Sequence, residues 1–103
     1  MKEPVNLPCE CNSISDVRNE IDRIDMEIIK LLSERFQYIK EVVKYKTGDK
    51  ESILAKERYD CVIKQRGQWA EENGLDCKVI EHVYTILLNY FIEEEMKIAN
   101  QKK

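Results

Sequence analysis

Three cations stand where cations are costly. Apolar residues recur at steps of four and three along Val17, Ile21, Ile24, Ile28, Leu31, Ile39 and Val42. This is the spacing of one helix face, and the same rhythm puts Arg35 and Lys46 on or beside the stripe. Arg18 follows Ile14 by one turn and adjoins Val17, near the other end of the segment. A cation in apolar surroundings costs several kcal/mol unless it is paired. Arg18, Arg35 and Lys46 therefore ask either for protein carboxylates, in ordinary salt bridges, or for an anionic ligand.

The elements that must position these groups are legible in the breaks. Ser13 or Ser15 can cap a first helix, and neither glycine nor proline interrupts residues 15–46. At 1.5 Å per residue that helix is about 50 Å long, well beyond the diameter of a compact chain of this size. It must pack against something outside its own chain. Arg18 and Lys46 then lie about 40 Å apart by helical rise, too far to share a ligand within one subunit. In an antiparallel pairing of two such helices the partner's Arg18 approaches Lys46. Thr47-Gly48-Asp49-Lys50 breaks the pattern, the loop from Thr47 to Glu51 is expected to become ordered on binding a dianion, and a second helix runs from about Ser52 past Trp69 to Asn73-Gly74. Asp76 caps a third helix, whose Val79, Val83, Leu87, Leu88, Phe91 and Ile98 place it centrally in the core. The reading is all-α: a polar leader over residues 1–12, then one helical domain over 13–103.

Composition narrows the functional classes. The 103 residues hold 17 Lys and Arg against 20 Asp and Glu, a net charge of -3 that gives no reason to expect nucleic acid or an anionic membrane as partner. No apolar run approaches the roughly 18 residues of a membrane span, and the first residues lack a signal peptide's apolar stretch, so a cytoplasmic protein is expected. Cys9, Cys11, Cys61 and Cys77 lack the paired spacing of a zinc site, and the single histidine, His82, sits in a strongly helical segment. Reduced thiols, no metal and no cofactor are expected.

The residues Asp16-Val-Arg-Asn-Glu-Ile-Asp-Arg-Ile-Asp25, then Leu32-Ser-Glu-Arg35, then Lys44-Tyr-Lys46, resemble the first helix of AroQ-type chorismate mutases. Glu57-Arg58 and Trp69-Ala-Glu-Glu-Asn-Gly-Leu-Asp76 look especially like the salicylate-forming isochorismate pyruvate lyases, which share that fold. The resemblance covers about residues 13–98. It implies a three-helix chorismate mutase type II fold in an intertwined homodimer, which also accounts for the overlong helix. It implies, too, that Arg35 and the partner's Arg18 clamp the carboxylates of chorismate or isochorismate, and that Lys46 faces the ether oxygen. By the same resemblance Glu57 accepts a bond from the ring hydroxyl, and Glu95 donates to the ether oxygen.

Two positions depart from the family pattern. Lys56 stands where many mutases have arginine, so it reads either as a ligand for the ring carboxylate or as a solvated helix lysine. Glu95 stands where glutamine is common. Only a protonated carboxyl could donate there, and a setting beside Leu88 and Phe91 would favour that neutral form. Periodicity does not separate Glu94 from Glu95. The Trp69–Asp76 block leans towards the lyase, whereas Glu95 and Lys56 lean towards the mutase, which is preferred by a narrow margin. A helical dimerisation module with merely structural cations is the non-enzyme alternative.

Overall fold

A computed structural model describes residues 4–46 and 55–101. Among them are three α-helices: α1 (Ile14–Val42), α2 (Lys56–Glu72) and α3 (Cys77–Gln101). Short 3-10 turns lie at Pro8–Glu10 and Val43–Tyr45. The expected loop at Thr47 to Glu51, and the expected start of the second helix near Ser52, lie outside the described residues. The chain divides between Gln37 and Tyr38 into two compact units.

The first unit holds the leader and the greater part of α1. Ser13 rather than Ser15 is the cap: its Oγ accepts from the Asp16 amide at 3.1 Å, while Asp16 Oδ2 accepts from the Asn12 amide at 2.9 Å. The leader is tied down further along by Glu20, whose Oε2 accepts from the amides of Val5 at 3.1 Å and Asn6 at 2.9 Å. Its Oε1 accepts from Arg23 Nε at 2.9 Å. The Arg23 bond, followed by the Asn6 amide, holds the Glu20 carboxyl below the ordinary carboxylate range. A lowered folded value means that the stabilisation is present above the unfolded value and is lost as pH falls through the folded one. The Val5 and Asn6 amide resonances should therefore shift together in a titration whose midpoint lies below that of a free glutamate. Glu20→Gln should abolish the transition, and a midpoint at the free value would contradict this anchoring.

No residue of α1 is buried within the chain. The stripe that the sequence marks as a packing face is on view: Val17, Ile21, Ile24, Ile28, Leu31 and Val42 are each 40–50% exposed.

The second unit is built on the α2–α3 hairpin. Val62, Gly67 and Ala70 are buried on α2, Phe91, Glu95 and Ala99 on α3. Tyr59 donates its hydroxyl to Asn89 Oδ1 at 2.9 Å across the pair. Gly67 is there because the helices approach closely: a Cβ would lie 2.7 Å from Glu81 Cγ and 3.0 Å from Cys77 Sγ. Alanine in a helix gains about 1 kcal/mol over glycine, but this overlap costs about 1–3 kcal/mol. Gly67→Ala should thus lower stability by about 1 kcal/mol in urea unfolding. In a Glu81→Ala background the same change should be neutral or stabilising, and equal destabilisation in both would refute the clash.

The turn between these helices is made by the Trp69–Asp76 block. Asn73 Nδ2 donates to the Trp69 carbonyl at 2.8 Å, and the Leu75 amide to the Ala70 carbonyl at 2.8 Å. Gly74 takes φ +77°, a left-handed conformation that glycine adopts at no steric cost. Asp76 Oδ1 then accepts from the amides of Lys78 and Val79 at 2.8 and 3.1 Å, capping α3. The Arg66 guanidinium lies 4.5 Å from the centre of the Trp69 ring. Asn73, Gly74 and Asp76 of the block thus have a structural role in the turn.

Burial on α3 differs from the expectation of a helix central along its length. Phe91 is buried, but Val79 and Val83 are exposed and Leu87, Leu88 and Ile98 are half-buried. The buried stripe Phe91-Glu95-Ala99 lies towards the C-terminal half, where the segment after α1 packs: Val43 and Ala99 form a small core with Ile92, Met96 and Ile98.

Candidate active site

A charged pair lies at that contact. The 3-10 turn Val43–Tyr45 brings Val43 down onto Ala99, and Lys46, which follows it, reaches Glu95 one turn earlier on α3. Lys46 Nζ donates to Glu95 Oε1 at 2.8 Å. Glu95 is 4% exposed and the Lys46 side chain 18%. Apolar surroundings strengthen such a charge-assisted bond and make either charge costly alone. The sequence gives no hint that these two groups meet each other.

The neighbouring acids are sorted by the same geometry. Glu93 is exposed, and Glu94 faces outward enough to accept from Lys97 at 3.4 Å, a surface pair of the i,i+3 kind. Of the run Glu93-Glu94-Glu95, Glu95 alone is buried.

The remaining expected site residues fall in different places. Arg35 is half-buried on α1. Arg18 is exposed near the start of α1 and makes no ion pair among the described residues. Glu57 is exposed in the first turn of α2. Lys56, beside it, donates to Asp60 Oδ1 at 3.1 Å, with both side chains largely in solvent. That is the surface pairing of a solvated helix lysine, and Asp60 was not singled out by the sequence. A donor-acceptor pair at i,i+4 was the signal that could have found it.

All four cysteines are free. Burial pushes the Cys11 and Cys77 thiols up, helped at Cys11 by Asp16 and at Cys77 by its bond to Glu81. Thiols so shifted are weak nucleophiles. Among the described residues no helix is long and apolar enough to cross a membrane.

Comparison with known proteins places this helical chain in a family. Residues 17–96 match the family model described as chorismate mutase type II. The chain belongs to the chorismate mutase type II family. Its relatives within and beyond the matched span carry two different names. It is 34% identical over 99 residues to the isochorismate pyruvate lyase of Pseudomonas aeruginosa, covering 96% of this chain and 97% of the lyase. It is 33% identical over 89 residues to the T-protein of Haemophilus influenzae, covering 86% of this chain but 22% of that longer protein. As a chorismate mutase type II chain it has the all-α fold expected from the sequence, and Lys46 and Glu95 both lie within the matched residues.

Proposed function

We propose that this chain rearranges chorismate to prephenate, in two cationic sites shared between the subunits of a homodimer. The observation that carries the reading is the Lys46 ammonium, largely buried on α3 against Glu95, in a chain of the chorismate mutase type II family. The family and the enzymes among its relatives also set aside the dimerisation module as an alternative.

The chemistry asks for little beyond placement and charge. Chorismate carries two carboxylates and reacts through a compact, chair-like transition state without a covalent intermediate. Guanidinium groups suit carboxylates through their paired donors, so Arg35 of one subunit and Arg18 of the other would hold the two ends and enforce the reactive conformer. Lys46, a compact charge, would face the ether oxygen as its carbon-oxygen bond breaks. That interaction grows towards the transition state and so lowers the barrier rather than deepening the ground state. Glu57 would accept from the ring hydroxyl, and Lys56 would serve the ring carboxylate only by leaving Asp60. No cofactor or metal has a part in this scheme.

The dimer is supported by α1. Six large apolar side chains along one face, each 40–50% exposed, form the kind of patch that soluble proteins cover with a partner. An isologous pairing through that face would bring each Arg18 to the other subunit's site. A cytoplasmic location goes with substrates of this kind.

A second reading, isochorismate pyruvate lyase giving salicylate and pyruvate, is favoured by one observation: the match to the Pseudomonas lyase runs nearly end to end. The Trp69–Asp76 block also resembles the lyases, although its Asn73, Gly74 and Asp76 make the turn as well. The two reactions use near-identical dicarboxylates, so product identity separates them. Incubated with chorismate and, separately, with isochorismate, the protein should give prephenate from the first. Salicylate from the second, without prephenate from the first, would replace the mutase by the lyase.

A further inference from the structure

The turn between α2 and α3 leaves a cavity of about 300 Å³ that the site at Lys46 does not use. Trp69, Leu75, Ile80 and Tyr84 line it with apolar surface, and Arg66 is its cation. The Arg66 guanidinium lies 4.5 Å from the centre of the Trp69 ring and 5.9 Å from that of Tyr84, so two aromatic rings hold it in place. Its Nη1 donates to Gln65 Oε1 at 2.6 Å, and it forms no ion pair among the described residues. The walls are set by the turn itself: Asn73 Nδ2 donates to the Trp69 carbonyl at 2.8 Å, and the Leu75 amide to the Ala70 carbonyl at 2.8 Å. All of these residues belong to the second compact unit. Tyr84 stands about 16 Å before Glu95 on α3 by helical rise, so the cavity and the Lys46 pair are separate places.

We propose that this cavity binds a small aromatic carboxylate. Trp69 and Leu75 are 46% and 57% exposed, an apolar pair open to solvent that a flat ring would cover. An apolar cavity of about 150 Å³ holds benzene, so this one has room for a ring with a short acidic arm. Arg66 decides the charge of that arm. It is half-buried, and a purely apolar surface laid over it would bury the guanidinium without a counter-charge, at a cost. A carboxylate instead meets its paired donors. The same reasoning disfavours the apolar face of a partner's α1 as the occupant. Because the walls stand ready-made, little ordering has to accompany binding. The proposal is independent of which reaction runs at Lys46.

Trp69 is the chain's single tryptophan, so its fluorescence reads the cavity directly. The full-length protein is titrated with benzoate, with benzamide, which keeps the ring without the charge, and with acetate, which keeps the charge without the ring. Benzoate should quench saturably with a dissociation constant of about 1 mM, the range of a fragment this small. Benzamide and acetate on wild type, and benzoate on Arg66→Gln, should each bind at least about tenfold more weakly. Arg66→Lys, which keeps the charge but not the planar fork, should fall between wild type and Arg66→Gln, and circular dichroism confirms that both variants are folded. Lys46→Met should leave the benzoate curve unchanged. No saturable quenching by benzoate, equal binding of benzamide, or equal affinity in Arg66→Gln would overturn the proposal. A wild-type Trp69 that acrylamide cannot reach would also overturn it, and would assign the cavity to a partner subunit's apolar face.

Discussion

Lys46→Met should lower kcat by about 10²- to 10³-fold while KM changes much less, the pattern of an interaction made mainly in the transition state. The ether oxygen gains charge only as its bond breaks, so the ammonium has little to hold in the bound substrate. Methionine keeps the length of the apolar stem, so packing at the seam should survive. The loss should also exceed that of any substitution at Lys56, whose charge is directed to Asp60 on the surface. Steady-state kinetics on both variants checks this. A loss below about fivefold in Lys46→Met would place the chemistry elsewhere.

Mixing two inactive proteins should restore activity. Arg18→Ala and Lys46→Ala each lack one side of the proposed shared site, and homodimers of either are expected to be nearly inert. In a heterodimer one site draws an intact Lys46 from the first chain and an intact Arg18 from the second, while the other site lacks both. Random exchange makes half of the dimers mixed, so recovery should approach about a quarter of wild-type activity. Native mass spectrometry of the mixture confirms that exchange has occurred. Exchange without recovery would show that Arg18 serves its own subunit or no site at all.

Much of this architecture is legible before any coordinates, because an amphipathic helix declares itself by spacing. The seam from Val17 to Val42 defines α1, Ser13 its start, and Asn73-Gly74 and Asp76 the turn between α2 and α3. The end of α1 differs from the sequence reading by a change of helix type: the α-helix closes at Val42 and the chain continues as a 3-10 turn to Tyr45. Such tightening of a last turn follows from local hydrogen bonding that composition does not encode.

The site is legible only in part, for a different reason. Register puts Lys46 beside the α1 stripe, whereas Glu95 is singled out only by the family resemblance, since periodicity leaves Glu94 and Glu95 on one helix face. Tertiary packing decides between them: Glu95 turns under the segment that carries Lys46, and Glu94 turns towards Lys97. The ion pair itself could not be inferred, since pattern gives each helix its face but not which residue of another segment lies opposite. Val79 and Val83 show the converse limit. Their apolar character marks a surface that packs, without saying whether its partner belongs to the same chain.

By position and charge alone, this chain should accelerate the reaction of a chorismate-type dicarboxylate. The most direct measurement is the disappearance of chorismate, and separately of isochorismate, followed by absorbance in metal-free buffer, with purified wild-type protein compared with buffer alone. An acceleration of at least about 10⁵- to 10⁶-fold over the spontaneous reaction is predicted for one of the two, at the lower end of what enzymes achieve. Rates indistinguishable from buffer for both substrates, with the protein folded and dimeric, would contradict it.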